Sequence, residues 1–216
     1  MMTTVTNLLT FLALGVTLFL VWRQSWRGRV RLFVLQSLLL GSLAAAIGVL
    51  AGRPSLLVVA TVFLVVKTWV IPRVLHRMAA GAPLRPLGPG RSAGIPVLIA
   101  GALVVVAYVI MLPVSGLATS ALPTRGAIPL TFAMALIGLF VCVMGRDALG
   151  QVTGFLVFEN AIFALGVVAT YGMPGLVEAG VFLEVLVIVL LMEGVVVQMR
   201  REHDSLDVDR LQELRG

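Results

Sequence analysis

Residues 96–113 of the chain read PVLIAGALVVVAYVIMLP. This stretch contains no charged side chain, and as a helix, at about 1.5 Å per residue, it crosses most of a hydrocarbon core of about 30 Å. Inside such a core the backbone must satisfy its own hydrogen bonds, and a helix does so within one segment. The stretch therefore predicts a transmembrane helix.

Comparable apolar runs lie on both sides of this stretch. Sixty per cent of the 216 residues are hydrophobic, 12% are charged, and the mean hydropathy is +1.09, which excludes a water-soluble fold. We predict an all-α integral membrane protein with about seven transmembrane helices. The predicted spans are 4–22, 32–52, 55–76, 94–113, 127–145, 150–170 and 175–199.

The arginines predict the orientation of the spans. They crowd the segments that follow spans one, three, five and seven, whereas the alternate loops carry only Arg53 and Arg125. Since cytoplasmic loops are enriched in Lys and Arg, the N-terminus is predicted outside and the C-terminus in the cytoplasm. The crowded set is Arg23, Arg27, Arg29, Arg31, Arg73, Arg77, Arg85, Arg91, Arg146, Arg200, Arg201, Arg210 and Arg215.

Composition also divides the chain and restricts its chemistry. Residues 77–93, rich in Pro, Gly and Arg, form a predicted cytoplasmic linker between a three-helix part (1–76) and a four-helix part (94–199), and 200–216 form a cytoplasmic tail. The single Cys142 and two distant histidines predict no disulfide, no metal and no cofactor in this chain. Despite the net charge of +6, the absence of a soluble basic domain argues against nucleic-acid binding.

Three ionisable residues, Lys67, Glu159 and Glu184, lie inside the apolar runs. A charged group at the middle of a bilayer costs about 2.5–3.5 kcal/mol on insertion scales, so each is a functional hypothesis. Glu159 and Glu184 lie about 13 Å from the starts of their spans, which begin on opposite faces, and Lys67 lies about 18 Å from the outer side. All three are predicted near one level of the membrane.

Carboxylates and a lysine at a common depth suit proton transfer in the membrane plane. Burial favours the neutral form of both groups, so each can change its protonation state at small cost. The alternative is a buried ion pair that fixes helix packing and moves no protons. Pro72 supports a special environment, because it has no N–H to donate to the carbonyl of Thr68 beside Lys67.

Several further polar residues are candidates for supporting roles. We interpret Asn160 as a contact between packed helices, with membership of a proton relay as the alternative. His76 is interpreted as interfacial, with proton uptake as the alternative. Glu178 and Glu193 lie near the ends of the last span, where they are either entry and exit groups or solvated helix ends.

Four segments resemble the family of hydrogenase-4 membrane component E: FLVVKTWVIP at 63–72, GFLVFEN at 154–160, PGLVEAG at 174–180 and LDVDRLQELRG at 206–216. The resemblance covers nearly the whole chain. The last three spans also resemble subunit K of complex I and the small C subunit of multisubunit cation/proton antiporters.

This resemblance implies a non-catalytic subunit in the membrane arm of a group 4 nickel–iron hydrogenase or formate hydrogenlyase type complex, in the bacterial inner membrane. It implies antiporter-like subunits and the hydrogenase membrane anchor as partners, with Glu159 and Glu184 as proton-conducting carboxylates. Two other classes stay open, a structural spacer of such a membrane arm and a stand-alone transporter. A catalytic role is not expected, because no nucleophile, base and orienting group converge in the sequence.

Overall fold

The computed structural model describes residues 2–23, 25–81, 94–117, 124–145 and 148–172, and the single positions Leu186 and Val189. These residues form helices and turns without a strand. The elements are α1 (Met2–Trp22), α2 (Trp26–Leu50), α3 (Pro54–Val65), a π-helical turn (Val66–Val70), α4 (Ile71–Gly81), α5 (Gly94–Leu117), a short 3₁₀ helix (Arg125–Ala127), α6 (Ile128–Met144) and α7 (Ala148–Thr170).

Six helical spans among the described residues are long and apolar enough to cross a membrane. One of them runs continuously through α3, the π turn and α4. The prediction of an all-α, multi-pass membrane protein is thereby confirmed. The predicted seventh span at 175–199 and the tail at 200–216 lie outside the described residues, and the orientation of the termini stays a prediction.

The helix boundaries differ from the predicted ones by four residues or more at three places. Helix α2 begins at Trp26 instead of residue 32, so the arginines at 27, 29 and 31 belong to its first turns. Long arginine side chains reach the interface from within a helix, which explains why loop and helix were hard to distinguish here. Helix α4 continues to Gly81, beyond the predicted end at 76, and α5 continues to Leu117 with Pro113 inside it.

Helix α2 packs against α1, α3 and α7, while α6 and α7 form the most extensive helix pair. The buried face of α2 carries Phe33, Leu40, Leu43 and Ile47, spaced three, four or seven residues apart as one helical stripe requires. Gln36 lies in the same stripe, so this face brings a polar side chain into the core.

Two glycines allow α6 and α7 to approach closely. A Cβ atom added at Gly138 would collide with the backbone of Phe158, and one added at Gly154 would collide with the backbone of Cys142. Small residues at such crossings let helix backbones touch, which is the main source of packing energy between helices in a bilayer.

We expect Gly138→Ala and Gly154→Ala each to destabilise the bundle by about 1–3 kcal/mol, the usual cost of overpacking. The measurement is the free energy of unfolding in an SDS titration of detergent micelles. Gly101→Ala in α5 is the matched control, because a Cβ atom there meets nothing within 4 Å. If all three variants unfolded at the same SDS fraction, the close α6–α7 contact would be contradicted.

Candidate functional site

Lys67 lies in the π-helical turn between α3 and α4. The backbone N–H of Ile71 bonds to the carbonyl of Val66, five residues back, which widens the turn. Pro72 follows directly and has no N–H to continue an ordinary helical ladder. The sequence predicted a special environment at Lys67 from Pro72. The structure shows a π turn here, a feature found frequently at functional sites.

The ammonium group of Lys67 forms an ion pair with the carboxylate of Glu159 on α7. The Nζ and Oε2 atoms are 2.5 Å apart, and the side chains are 0% and 3% exposed. Two residues that lie 92 positions apart in the chain therefore meet within the helix bundle. The sequence predicted these two groups at one depth of the membrane, and the contact between them is given by the structure. Their role in transport stays a prediction.

Aromatic side chains lie one turn from the ion pair on each helix. Phe63 precedes Lys67 by four residues and Phe163 follows Glu159 by four, and their rings stack with centroids 4.4 Å apart. The Lys67 Nζ atom also lies 5.9 Å from the centroid of the Phe63 ring. Because α3 and α7 are antiparallel in the predicted topology, both phenylalanines lie on the same side of the ion pair and shield it there from water.

A buried Lys–Glu pair can hold a proton in two ways. With the proton on nitrogen the pair is an ammonium and a carboxylate, and transfer to oxygen gives a neutral amine and a carboxylic acid. The net charge of the pair is zero in both arrangements. A proton can therefore move between the two groups without placing an uncompensated charge in the bilayer.

A second set of buried polar side chains lies beside the ion pair and is called the amide cluster here. Asn160 Nδ2 donates to Ser37 Oγ at 2.8 Å and to Gln36 Oε1 at 3.4 Å, and Gln36 Nε2 donates to Thr17 Oγ1 at 2.7 Å. All four side chains are fully buried. The cluster of Thr17, Gln36, Ser37 and Asn160 joins α1, α2 and α7 by direct side-chain hydrogen bonds.

Sequence reasoning included Asn160 but missed the other three members of the amide cluster. A signal was available for Gln36, because an amide in the middle of an apolar run needs a partner inside the bilayer. Thr17 and Ser37 gave little signal, since their hydroxyls bond to the carbonyls of Ala13 and Phe33 one turn back. Such back-bonding lets a hydroxyl lie in an apolar helix without any other partner.

The remaining predicted site residues lie apart from the ion pair or outside the described residues. His76 is exposed; its Nδ1 lies 2.5 Å from the carbonyl of Pro72, and its ring meets Trp26 edge to face at 5.3 Å. Tryptophan is typical of the membrane interface, so the interfacial interpretation of His76 fits this position. Three further predicted site residues lie outside the described residues: Glu178, Glu184 and Glu193.

The fold and the site together define a class: a multi-pass, α-helical membrane protein with a lysine–glutamate pair buried among its helices. The chain is 33% identical to an uncharacterized protein of Mycobacterium tuberculosis, over 96% of each chain. It is 26% identical to hydrogenase-4 component E of Escherichia coli and of Shigella flexneri, over 98% of each chain. The chain belongs to the hydrogenase-4 component E family. No family model and no solved structure matches the chain.

Proposed function

We propose that the chain is a non-catalytic membrane-arm subunit of a complex I-related assembly, of the group 4 nickel–iron hydrogenase or formate hydrogenlyase type. In this proposal the Lys67–Glu159 pair carries protons through the membrane interior and helps to couple redox chemistry in other subunits to ion translocation. The observation that carries the proposal is the fully buried ion pair itself. The near full-length similarity to hydrogenase-4 component E supports the assignment to a hydrogenase complex.

Energetics favour a transport role for the pair over a packing role. Taking two charges out of water costs several kcal/mol per ion, and apolar side chains of similar volume often pack with equal or greater stability. Apolar contacts lie beside the pair, because Phe63 of α3 stacks on Phe163 of α7 and close glycine contacts hold α6 against α7. The packing of these helices therefore does not depend on the two charges alone. A role in proton transfer explains why two ionisable side chains are buried here, whereas helix packing does not require them.

Partners are expected to cover part of the apolar surface. Helix α5 is the least buried of the described spans, and Leu98, Val105 and Val109 on it are more than half exposed. We propose antiporter-like subunits and the hydrogenase membrane anchor as these partners, with the lipid of the bacterial inner membrane covering the rest. The proton would continue toward them through further carboxylates, among which Glu184 is the leading candidate.

The test of this function is Glu159→Gln in the assembled complex, reconstituted into liposomes. Glutamine keeps a hydrogen-bonding oxygen for Lys67 but cannot take up a proton. We expect ion translocation per electron to fall at least about tenfold; removal of a whole acid–base group costs about 10²–10⁴, but here Lys67 remains. The measurement is the initial rate of proton or Na⁺ movement beside the rate of electron transfer to a soluble acceptor.

Glu159→Asp is the matched control, since it keeps the carboxylate and shortens the side chain by one methylene. It should retain more translocation than Glu159→Gln at equal electron-transfer activity. A structural spacer, the alternative role, predicts the opposite: both variants that assemble would translocate ions as the wild type does.

A further inference from the structure

The amide cluster is more than a single contact between two helices. Its hydrogen bonds run from Thr17 on α1 through Gln36 and Ser37 on α2 to Asn160 on α7. Asn160 is the chain neighbour of Glu159, so the cluster and the ion pair lie at the same level of α7. Lys67, Glu159 and the cluster together form a layer of buried polar side chains from four helical spans, called the polar layer here.

One atom in the cluster calls for an additional hydrogen-bond donor. The side-chain oxygen of Asn160 is buried and accepts no hydrogen bond from any residue that the structure describes. An unsatisfied buried acceptor costs about 1–3 kcal/mol, and internal water is the usual way in which proteins avoid this cost. The nearby hydroxyls of Ser37 and Thr17 each retain acceptor capacity, so the site offers the two to four polar partners that a buried water needs.

The cluster also connects to a line of buried hydroxyls on α1. Thr6, Thr10 and Thr17 are all fully buried, and the Thr10 and Thr17 hydroxyls bond to carbonyls one turn back. This line leads from the cluster toward the N-terminal end of α1. Ala13, a small and fully buried residue, lies between Thr10 and Thr17 along the helix.

We propose, on the basis of the proposed function, that the amide cluster holds water and is the branch through which the Lys67–Glu159 pair exchanges its proton with the threonine-lined face of α1. Amides and hydroxyls do not ionise in this setting. They orient water molecules, and the water carries the proton between Glu159 and α1. Thr17, Gln36, Ser37 and Asn160 are positioning residues in this scheme, and the ion pair is the group that gains and loses the proton.

The test compares two isosteric substitutions in the reconstituted complex. Thr17→Val removes the hydroxyl that accepts from Gln36 at 2.7 Å, whereas Thr61→Val removes an exposed hydroxyl on α3 that bonds only to the carbonyl of Leu57. We expect the translocation rate to fall about fivefold in Thr17→Val, the equivalent of one hydrogen bond, and to stay unchanged in Thr61→Val. Asn160→Leu should lower the rate at least as much.

The pattern of results separates this inference from the proposed function. Suppose that Glu159→Gln stops translocation, whereas Thr17→Val and Asn160→Leu translocate as fast as Thr61→Val. The proposed proton branch through the amide cluster is then wrong, and the role of the ion pair stands. If Glu159→Gln has no effect, the proposed function itself fails.

Radiolytic footprinting of the wild-type complex tests the water directly, without relying on a variant that folds. Hydroxyl radicals formed from internal water oxidise nearby sulfur atoms, and the Met134 sulfur lies 4.0 Å from Gln36 Nε2 although the residue is fully buried. Met134 should be oxidised at a rate comparable to that of Met111 on α5, although Met111 is partly exposed and Met134 is not. Oxidation of Met134 many times slower than that of Met111 would show that the cluster is dry and would overturn the proposal.

Discussion

Lys67→Met is expected to destabilise the helix bundle by about 3–5 kcal/mol, because it leaves the buried Glu159 carboxylate without its ammonium partner. Glu159→Leu is expected to cost a similar amount for the reciprocal reason. The double variant Lys67→Met/Glu159→Leu, which replaces the pair with apolar side chains, should recover most of the loss. The measurement is the unfolding free energy of the four proteins in an SDS titration, analysed as a double-mutant cycle.

Thr61→Val provides the control for this cycle, since it removes an exposed polar group from the same helix and should change stability little. Single variants that each cost less than about 1 kcal/mol, the range of exposed ion pairs, would contradict a desolvated contact between Lys67 and Glu159. A double variant as unstable as the singles would show that other groups depend on these charges.

Six of the predicted membrane spans and the common level of Lys67 and Glu159 were accessible from the sequence. Apolar run length and helix rise fix the position of a residue along its own span, and on that basis Lys67 and Glu159 were predicted at one level. Depth alone does not say which spans are neighbours or which way a side chain faces. The sequence therefore left open whether Lys67 meets Glu159, Glu184 or both, and the contact with Glu159 emerges only from the packing of α3 against α7.

The uncharged part of the polar layer was much harder to predict. A charged residue in an apolar run is conspicuous because it is costly, whereas Thr17 and Ser37 satisfy their hydroxyls within their own helices. Gln36 was the exception, because its amide has no such local partner. Asn160 was interpreted as a packing contact, and its hydrogen bonds to Gln36 and Ser37 do join two helices.

Two prolines predicted the local helix structure only in part. Before Pro72 the backbone forms a π turn, where the sequence predicted only a special environment for Lys67. Pro113 was predicted near the end of a span, yet α5 continues through it to Leu117. A helix that contains a proline lacks one backbone hydrogen bond. Whether the helix ends, kinks or continues there depends on tertiary contacts with neighbouring groups, which a single sequence does not give.

The double variant Lys67→Met/Glu159→Leu should also abolish ion translocation although its bundle remains stable. Both acid–base groups are gone from this plane, and the stacked rings of Phe63 and Phe163 remain as an apolar barrier beside it. Loss of acid–base groups lowers a proton-transfer rate by about 10²–10⁴, which reduces translocation to the background leak. Translocation per electron in proteoliposomes measures this effect, with Thr61→Val as the assembled, fully active control.

The most direct test of the ion pair's role is this same ratio, measured on wild-type and double-variant complexes that contain equal amounts of every subunit. A proton-sensitive dye and a Na⁺ probe inside the liposomes give the ion flux, and reduction of a soluble acceptor gives the electron flux. We predict unchanged electron transfer with ion flux at the level of protein-free liposomes. A double variant that translocates as many ions per electron as the wild type would contradict the role assigned to Lys67 and Glu159.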